Sequence, residues 1–249
     1  MVNLRLRMAT AAMALLAGGL TQNPDDLLRR SDVGAFAPSS FQARLAIRTA
    51  SPEASHEVEI WRSGEAKTLI RFLDPKERGK YLLRLEGQLW LLTPTAKKPV
   101  HLSPSYRLYG GATLDEVLGI RLAREYQVES ASRENDPGGT LVAFELRARS
   151  EGVLFPQVHY VVREATARPV SAIYRLRSGR DATSVDFVQW NEGGLVYARR
   201  VVVKDLLRKG ALTEVDVLEL RERTIPDGMF ALQDSAERRA LEAAASKDR

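Results

Sequence analysis

Alternation of apolar and polar residues with a period of two, repeated from Phe41 to Arg223, is the feature that most constrains what this chain can fold into. Period two sends successive side chains to opposite faces of a strand. Phe41, Ala43, Leu45 and Ile47 alternate with Gln42, Arg44, Ala46 and Arg48, the pattern of a strand with one wet face. His56–Arg62 repeats it, with Val58 and Ile60 between Glu57, Glu59 and Trp61. Lys67–Leu73, Gly79–Glu86 and Gln88–Thr93 follow, set apart by the turn residues Gly64, Asp74-Pro75 and Gly87. The pattern returns at Glu125–Arg133, Thr140–Ala148, Val158–Glu164, Pro169–Arg177, Thr183–Trp190, Leu195–Lys204 and Thr213–Arg223. The spacing is that of hairpins, and no strand-helix-strand alternation interrupts it. About twelve antiparallel strands are too many for a flat isolated sheet, so the sheet either curls into a barrel or half-barrel or divides into a sandwich.

Four segments break the pattern. Arg5 and Arg7 precede the apolar run Met8–Ala17 and the small residues Gly18 and Gly19, which reads as a secretory signal peptide over residues 1–19. The run is shorter than the ~20 residues a permanent membrane helix needs. No cysteine follows the leader, so the exported product is expected to be soluble and not lipid-anchored, with residues 20–249 forming one domain. Pro24–Arg30 suits a short helix, proline at its first turn and acidic residues near its start. Pro94–Tyr109, rich in proline, serine and basic residues, reads as a long crossing segment. Its prolines at 94, 99 and 104 oppose regular pairing, so the stretch around Lys97 and Lys98 is expected to be exposed and mobile. Thr113–Leu118 reads as a capped short helix, and Ser235–Lys247 as a helical tail.

Catalytic arrangements are scarce. There is no cysteine, and the three histidines His56, His101 and His159 have no partner histidine at metal-ligand spacing. No Gly-x-Ser-x-Gly elbow or phosphate-cradling glycine loop is present. Gly110-Gly111 is read as a turn, and Glu57 with Glu59 as a solvated strand face, not an acid/base pair. The formal charge of +5, without basic blocks interleaved with stacking aromatics, points away from nucleic acid. The chain is therefore read as a non-enzyme with no catalytic residues, no metal site and no cofactor.

Ile70-Arg-Phe-Leu-Asp-Pro75, Gly79-Lys-Tyr-Leu-Leu-Arg-Leu-Glu-Gly87-Gln-Leu-Trp90-Leu-Leu-Thr-Pro94, the Lys97-Lys98 linker and Ile225-Pro-Asp-Gly-Met-Phe230 together resemble the outer-membrane lipoprotein-sorting (LolA-like) family. The resemblance covers roughly Asp25 to Leu232. Leu91-Leu92 stands where family members often carry a tyrosine-rich stretch. The resemblance implies a mainly β (α+β) fold, a single curved antiparallel sheet forming an unclosed half-barrel of about 11–12 strands, with short helices covering its concave face. It further implies acyl-chain binding between sheet and helices, a periplasmic location, and relatives associated with transporters of the resistance-nodulation-division type.

On that basis the chain is expected to be a periplasmic carrier, monomeric, that passes a lipid or lipoprotein acyl chain toward the outer membrane. The expected lipid-binding set is Leu45, Ile47, Val58, Ile60, Ile70, Phe72, Leu83, Leu85, Trp90 and Leu92, one face of five consecutive strands. Leu89 and Leu91 compete with Trp90 and Leu92 for that face, because a one-residue register change exchanges them. The alternative is an envelope sensor or interaction module that binds a partner protein with the same curved sheet, possibly beside an inner-membrane transporter.

Overall fold

A computed structural model describes residues 23–35, 38–50, 53–64, 66–96, 98–103, 106–109, 112–113, 122–151, 153–208, 211–232 and 243. The expected leader, residues 114–118 of the expected central helix and nearly all of the expected helical tail lie outside the described residues.

The first helix, α1, runs over Pro24–Ala35, longer than expected from sequence. Asn23 caps it, its side-chain oxygen accepting from the Asp25 amide at 3.0 Å, while Pro24 opens the first turn where its missing N–H costs nothing. Leu27, Leu28 and Ser31 are buried while Arg29 and Arg30 stay in solvent. A second helix, α2 (Leu122–Glu125), was not expected; the strand read as starting at Glu125 begins at Tyr126. Asp32 of α1 accepts from the backbone amides of Leu122 and Ala123 at 3.0 and 2.7 Å. One carboxylate thus satisfies the open donors at the start of α2 and joins the two helices.

The strands are β1 (Ser40–Ala50), β2 (Glu53–Ser63), β3 (Lys67–Phe72), β4 (Tyr81–Leu85), β5 (Gln88–Leu92), β6 (Val100–Leu102), β7 (Arg107–Tyr109), β8 (Ala112–Thr113), β9 (Tyr126–Asp136), β10 (Gly139–Ala148), β11 (Gln157–Arg163), β12 (Arg168–Arg175), β13 (Asp181–Trp190), β14 (Ala198–Asp205) and β15 (Leu212–Glu222). Thirteen of them form one sheet in the order β6-β5-β4-β3-β2-β1-β15-β14-β13-β12-β11-β10-β9. The described pairings within it are antiparallel. The chain winds outward from β1 to the β6 edge, crosses to the far edge at β9, and winds back until β15 lies against β1. The sheet is not closed, since β6 and β9 are its two ends.

Each segment read as a strand contains one. The crossing segment behaves as a crossing, but it is not free of pairing as expected. Val100–Leu102 adds β6 to β5, and Arg107–Tyr109 pairs with Ala112–Thr113 as a separate two-stranded ribbon. Pro99 sits just before β6, where a proline withholds nothing from the ladder. Thr113, expected to cap a helix, ends β8 instead.

Curvature has local causes. Register shifts interrupt β1/β15 at Arg44/Leu45, β9/β10 at Glu145/Leu146, β11/β12 at Val161/Val162, and β12/β13 and β13/β14 near their ends. A bulge bends its strand and raises the local twist, so bulges spread across the sheet curl it. Between β4 and β5, Glu86 and Gly87 both take positive φ (50° and 83°). That is the tight hairpin turn whose twist matches its strands, and glycine adopts it without strain.

Candidate functional site: the concave face

Cross-strand partners share a face, so the register fixes what the inside of the curve contains. One row runs Ala43–Ile60–Ile70–Leu82–Leu91 and the next Leu45–Val58–Phe72. Across β1 the face continues through Val217 and Val215 of β15 to Val201 and Val203 of β14, Val185 of β13, Ala172 and Tyr174 of β12 and Val158 and Tyr160 of β11. It ends on Phe144 and Leu146 of β10. These side chains form a single apolar cluster.

Its cover is assembled from short pieces. Leu27 and Leu28 of α1 and Leu122 of α2 belong to the same cluster, with α1 packed against β12 and β9. Tyr160 lies wholly inside; burial pushes its phenol above the ordinary value, against the pull of a hydrogen bond with Ser31. Over β1–β3 the cover is the β7–β8 strap, with Leu108 buried in the cluster.

The strap is held at two ends. Tyr109 stacks on His56 with ring centroids 3.8 Å apart and meets Phe72 edge-on at 5.8 Å. Its hydroxyl donates to Asp74 at 3.3 Å, and His56 Nδ1 meets the same carboxylate at 2.5 Å. Burial first, then the charges of Asp74 and Glu77, raise the Tyr109 phenol above its usual range. On the other side Arg107 donates to Asp205 of β14 at 3.0 Å, and that carboxylate is 1% exposed. At the opposite end of β2–β5 the concave face turns polar, with Arg62, Thr68 and Arg84 in one row.

Of the ten expected site residues, Leu45, Ile47, Val58, Ile60, Ile70 and Phe72 lie together in this cluster. Leu83, Leu85, Trp90 and Leu92 do not. Leu83 pairs with Leu69 and Trp90, and Leu85 with Lys67, which puts them on the convex face. In β4 and β5 both alternate sets are apolar, so alternation alone could not say which set turns inward. Leu82, Leu89 and Leu91 take the inner positions, and Arg84, opposite Thr68, is on the concave rim.

The outer set has its own cover. Trp61, Leu69, Leu83 and Leu92 are buried with Ile225, Met229 and Phe230, and Tyr81, Leu85 and Trp90 pack alongside. The chain after β15 folds back over the convex face, and Lys67 pins it by an ion pair with Asp227 at 2.7 Å. Beside this cluster Glu59, expected in solvent, is 2% exposed. It accepts from Gln42 at 2.7 Å and is ion-paired with Arg71, whose guanidinium lies 5.3 Å from the centre of the Trp61 ring.

A protein-family profile described only as "uncharacterized protein" matches residues 64–234. In fold, the chain is similar to a LolA superfamily protein from Nitrosomonas europaea, with 25% identity over 83% of this chain and 96% of that one, TM-score 0.75. It is also similar to an outer membrane lipoprotein-sorting protein domain from Vibrio parahaemolyticus, with 14% identity over 88% and 97% of the two chains, TM-score 0.71. The chain belongs to a family with a LolA-like fold. No curated protein matches its sequence. Within this LolA-like fold the segments that carried the resemblance divide their work. Ile70-Arg-Phe72 builds the concave wall, whereas Ile225–Phe230 seals the convex one. Among the described residues no helix is long and apolar enough to cross a membrane, and no group of three histidines or carboxylates could hold a metal.

Proposed function

We propose that this protein is a periplasmic carrier that takes a lipid or lipoprotein acyl chain onto its concave face and releases it toward the outer membrane. One observation carries this reading. A continuous apolar face runs across an unclosed sheet, and among the described residues what covers it is a short helix pair and a two-stranded strap held by polar contacts. Such a cover can be displaced without unpairing the sheet. Removing a chain of about 15 methylenes from water is worth ~12 kcal/mol gross at ~0.8 per methylene. Association and ordering costs of about 4–15 kcal/mol offset much of it, which suits a cargo that must leave again. In this reading the leader of residues 1–19 is cleaved on export, the domain acts as a monomer without cofactor, and a membrane transporter is a candidate donor.

The test uses a matched pair on the two faces. Protein stripped of lipid is expected to take up a fluorescent fatty acid. Phe72→Ala, on the concave side beside the strap, should weaken uptake several-fold. Leu83→Ala, equally buried but convex, should lose stability and keep its uptake. If stripped wild-type protein takes up no acyl ligand, or the two variants lose uptake alike, the carrier reading fails and a partner-binding module takes its place. N-terminal sequencing of the exported form should begin near Leu20.

A further inference from the structure

Two Arg-x-Arg pairs end the strands on either side of β11: Arg147-Ala148-Arg149 at the close of β10 and Arg175-Leu176-Arg177 at the close of β12. Between them β11 starts at Gln157, which the register sets opposite both Arg147 and Arg175. Leu146 and Val158 point into the concave cluster, so the neighbouring row of Arg147, Gln157 and Arg175 is convex. Two of the guanidiniums are already committed. Arg147 pairs with Glu129, and Arg175 with Glu145 and Asp181 at 2.9 and 3.0 Å. Arg149 and Arg177 have no carboxylate partner among the described residues; Arg177 donates to the Glu151 carbonyl at 2.9 Å.

A cleft of about 390 Å³ opens here, its polar lining being Arg147, Arg149, Ser150, Glu151, Gln157 and Arg177. We propose that this cleft binds a phosphate group. Guanidinium forks match phosphoryl oxygens two at a time, and Ser150 and Gln157 supply neutral donors beside them. Glu151 in the lining and Glu129 behind it offset two of the three arginines, leaving the single positive charge that suits a phosphodiester. A lipid headgroup and a free phosphate offer the same oxygens to these donors. The cleft lies on the other side of the sheet from the acyl face and stands or falls independently of the carrier reading.

Two probes separate the sources. The folded chain is titrated with inorganic phosphate by calorimetry. It is also floated with phosphatidylcholine vesicles with and without phosphatidylglycerol. The Arg149→Gln/Arg177→Gln double variant should weaken binding of whichever probe is held at least tenfold. Arg149→Gln alone, which leaves the Arg177–Glu151 contact in place, should weaken it several-fold, and thermal melts check that all variants fold. Binding to phosphatidylglycerol vesicles alone identifies a lipid phosphodiester, and binding of inorganic phosphate identifies a free phosphoryl ligand. If neither probe binds saturably, or the double variant binds as the wild type does, the proposal is wrong.

Discussion

β11 and β4 are strands of the same sheet, yet they keep their structure in different ways. In β11, Val158, Tyr160 and Val162 are buried inward while Gln157, His159 and Arg163 face out, tied by polar contacts such as the His159 ring with Glu145 and the Arg163 ion pair with Asp136, both at 2.7 Å. In β4, Leu82 is buried on the concave side and its neighbour Leu83 on the convex side, both at 0% exposure. Among the described residues, the half of the sheet holding β11 is a two-layer structure and the half holding β4 is three layers deep, with the C-terminal segment as the third. The apolar groups of the outer layer contribute stability without touching the concave face, so stability and the proposed ligand binding can be changed separately in the three-layer half.

The strongest way to break that comparison is to remove the outer layer. Phe230→Ala deletes a buried aromatic from the convex cluster and should cost about 3–5 kcal/mol, read as a shift in the urea midpoint. Hydrogen exchange should show β3–β5 losing protection while β10–β12 retain theirs. Val161→Ala, the outward-facing and half-buried counterpart in β11, should cost under ~1 kcal/mol. Equal losses of protection in both halves would mean that the layers unfold as one unit and the distinction has no energetic content.

The same division explains how much could be read from sequence. Where the outward set carries charged residues, as Arg44 and Arg48 in β1, Glu57 and Glu59 in β2, and Lys67 and Arg71 in β3, alternation names the inner face: Leu45, Ile47, Val58, Ile60, Ile70 and Phe72 all lie on the concave side. Where both alternate sets are apolar, as in Leu82-Leu83 and Leu89-Trp90-Leu91-Leu92, the period carries no information about direction. The register is set there by the Glu86-Gly87 turn and by pairing of β3 with β4, which turn Leu83, Leu85, Trp90 and Leu92 to the convex face and not to the concave face expected from sequence. Glu59 was misread for a related reason. A carboxylate in an alternating strand looks solvated until Arg71 and the C-terminal segment close over it. The strap was invisible as a cover because its strands are three and two residues long, too short for any period to show.

Buried and exposed charges give a second, smaller contrast between the halves. Glu59→Gln removes the carboxylate charge paired with the Arg71 guanidinium, which is 21% exposed and faces Trp61. The cost should be about 2–3 kcal/mol, as for a buried charged group that loses its partner. Glu145 holds Arg175 and His159 on the two-layer half but is 41% exposed. Glu145→Gln should cost no more than ~1 kcal/mol. Raising the salt concentration should erase the Glu145 effect and leave the Glu59 effect largely intact, because dissolved ions screen the exposed pair far more than the buried one.

The smallest effect belongs to the turn joining the β9 edge strand to β10, where only polar contacts are at work. Asp136 accepts from both Arg163 guanidinium nitrogens, at 2.7 and 3.0 Å, and from the Gly138 amide at 2.9 Å. The hydrogen bonding of Arg163 is the main cause holding this carboxyl below its ordinary value, with the Gly138 amide assisting. A carboxyl depressed in the folded state binds its proton more readily once the chain unfolds. Its stabilisation is therefore complete above the unfolded value of about 3.9 and disappears as pH falls through the lower folded one. Asp136→Asn keeps an acceptor oxygen but cannot carry the charge. Thermal melts of both proteins should differ most at pH 5–7 and converge as the buffer is taken below about pH 4. A gap that stays constant down to pH 2.5 would assign the contribution to the turn's hydrogen bonds and not to the Arg163 pair. The edge of the two-layer half would then owe nothing to ionisation, and the contrast with the buried Glu59 would be complete.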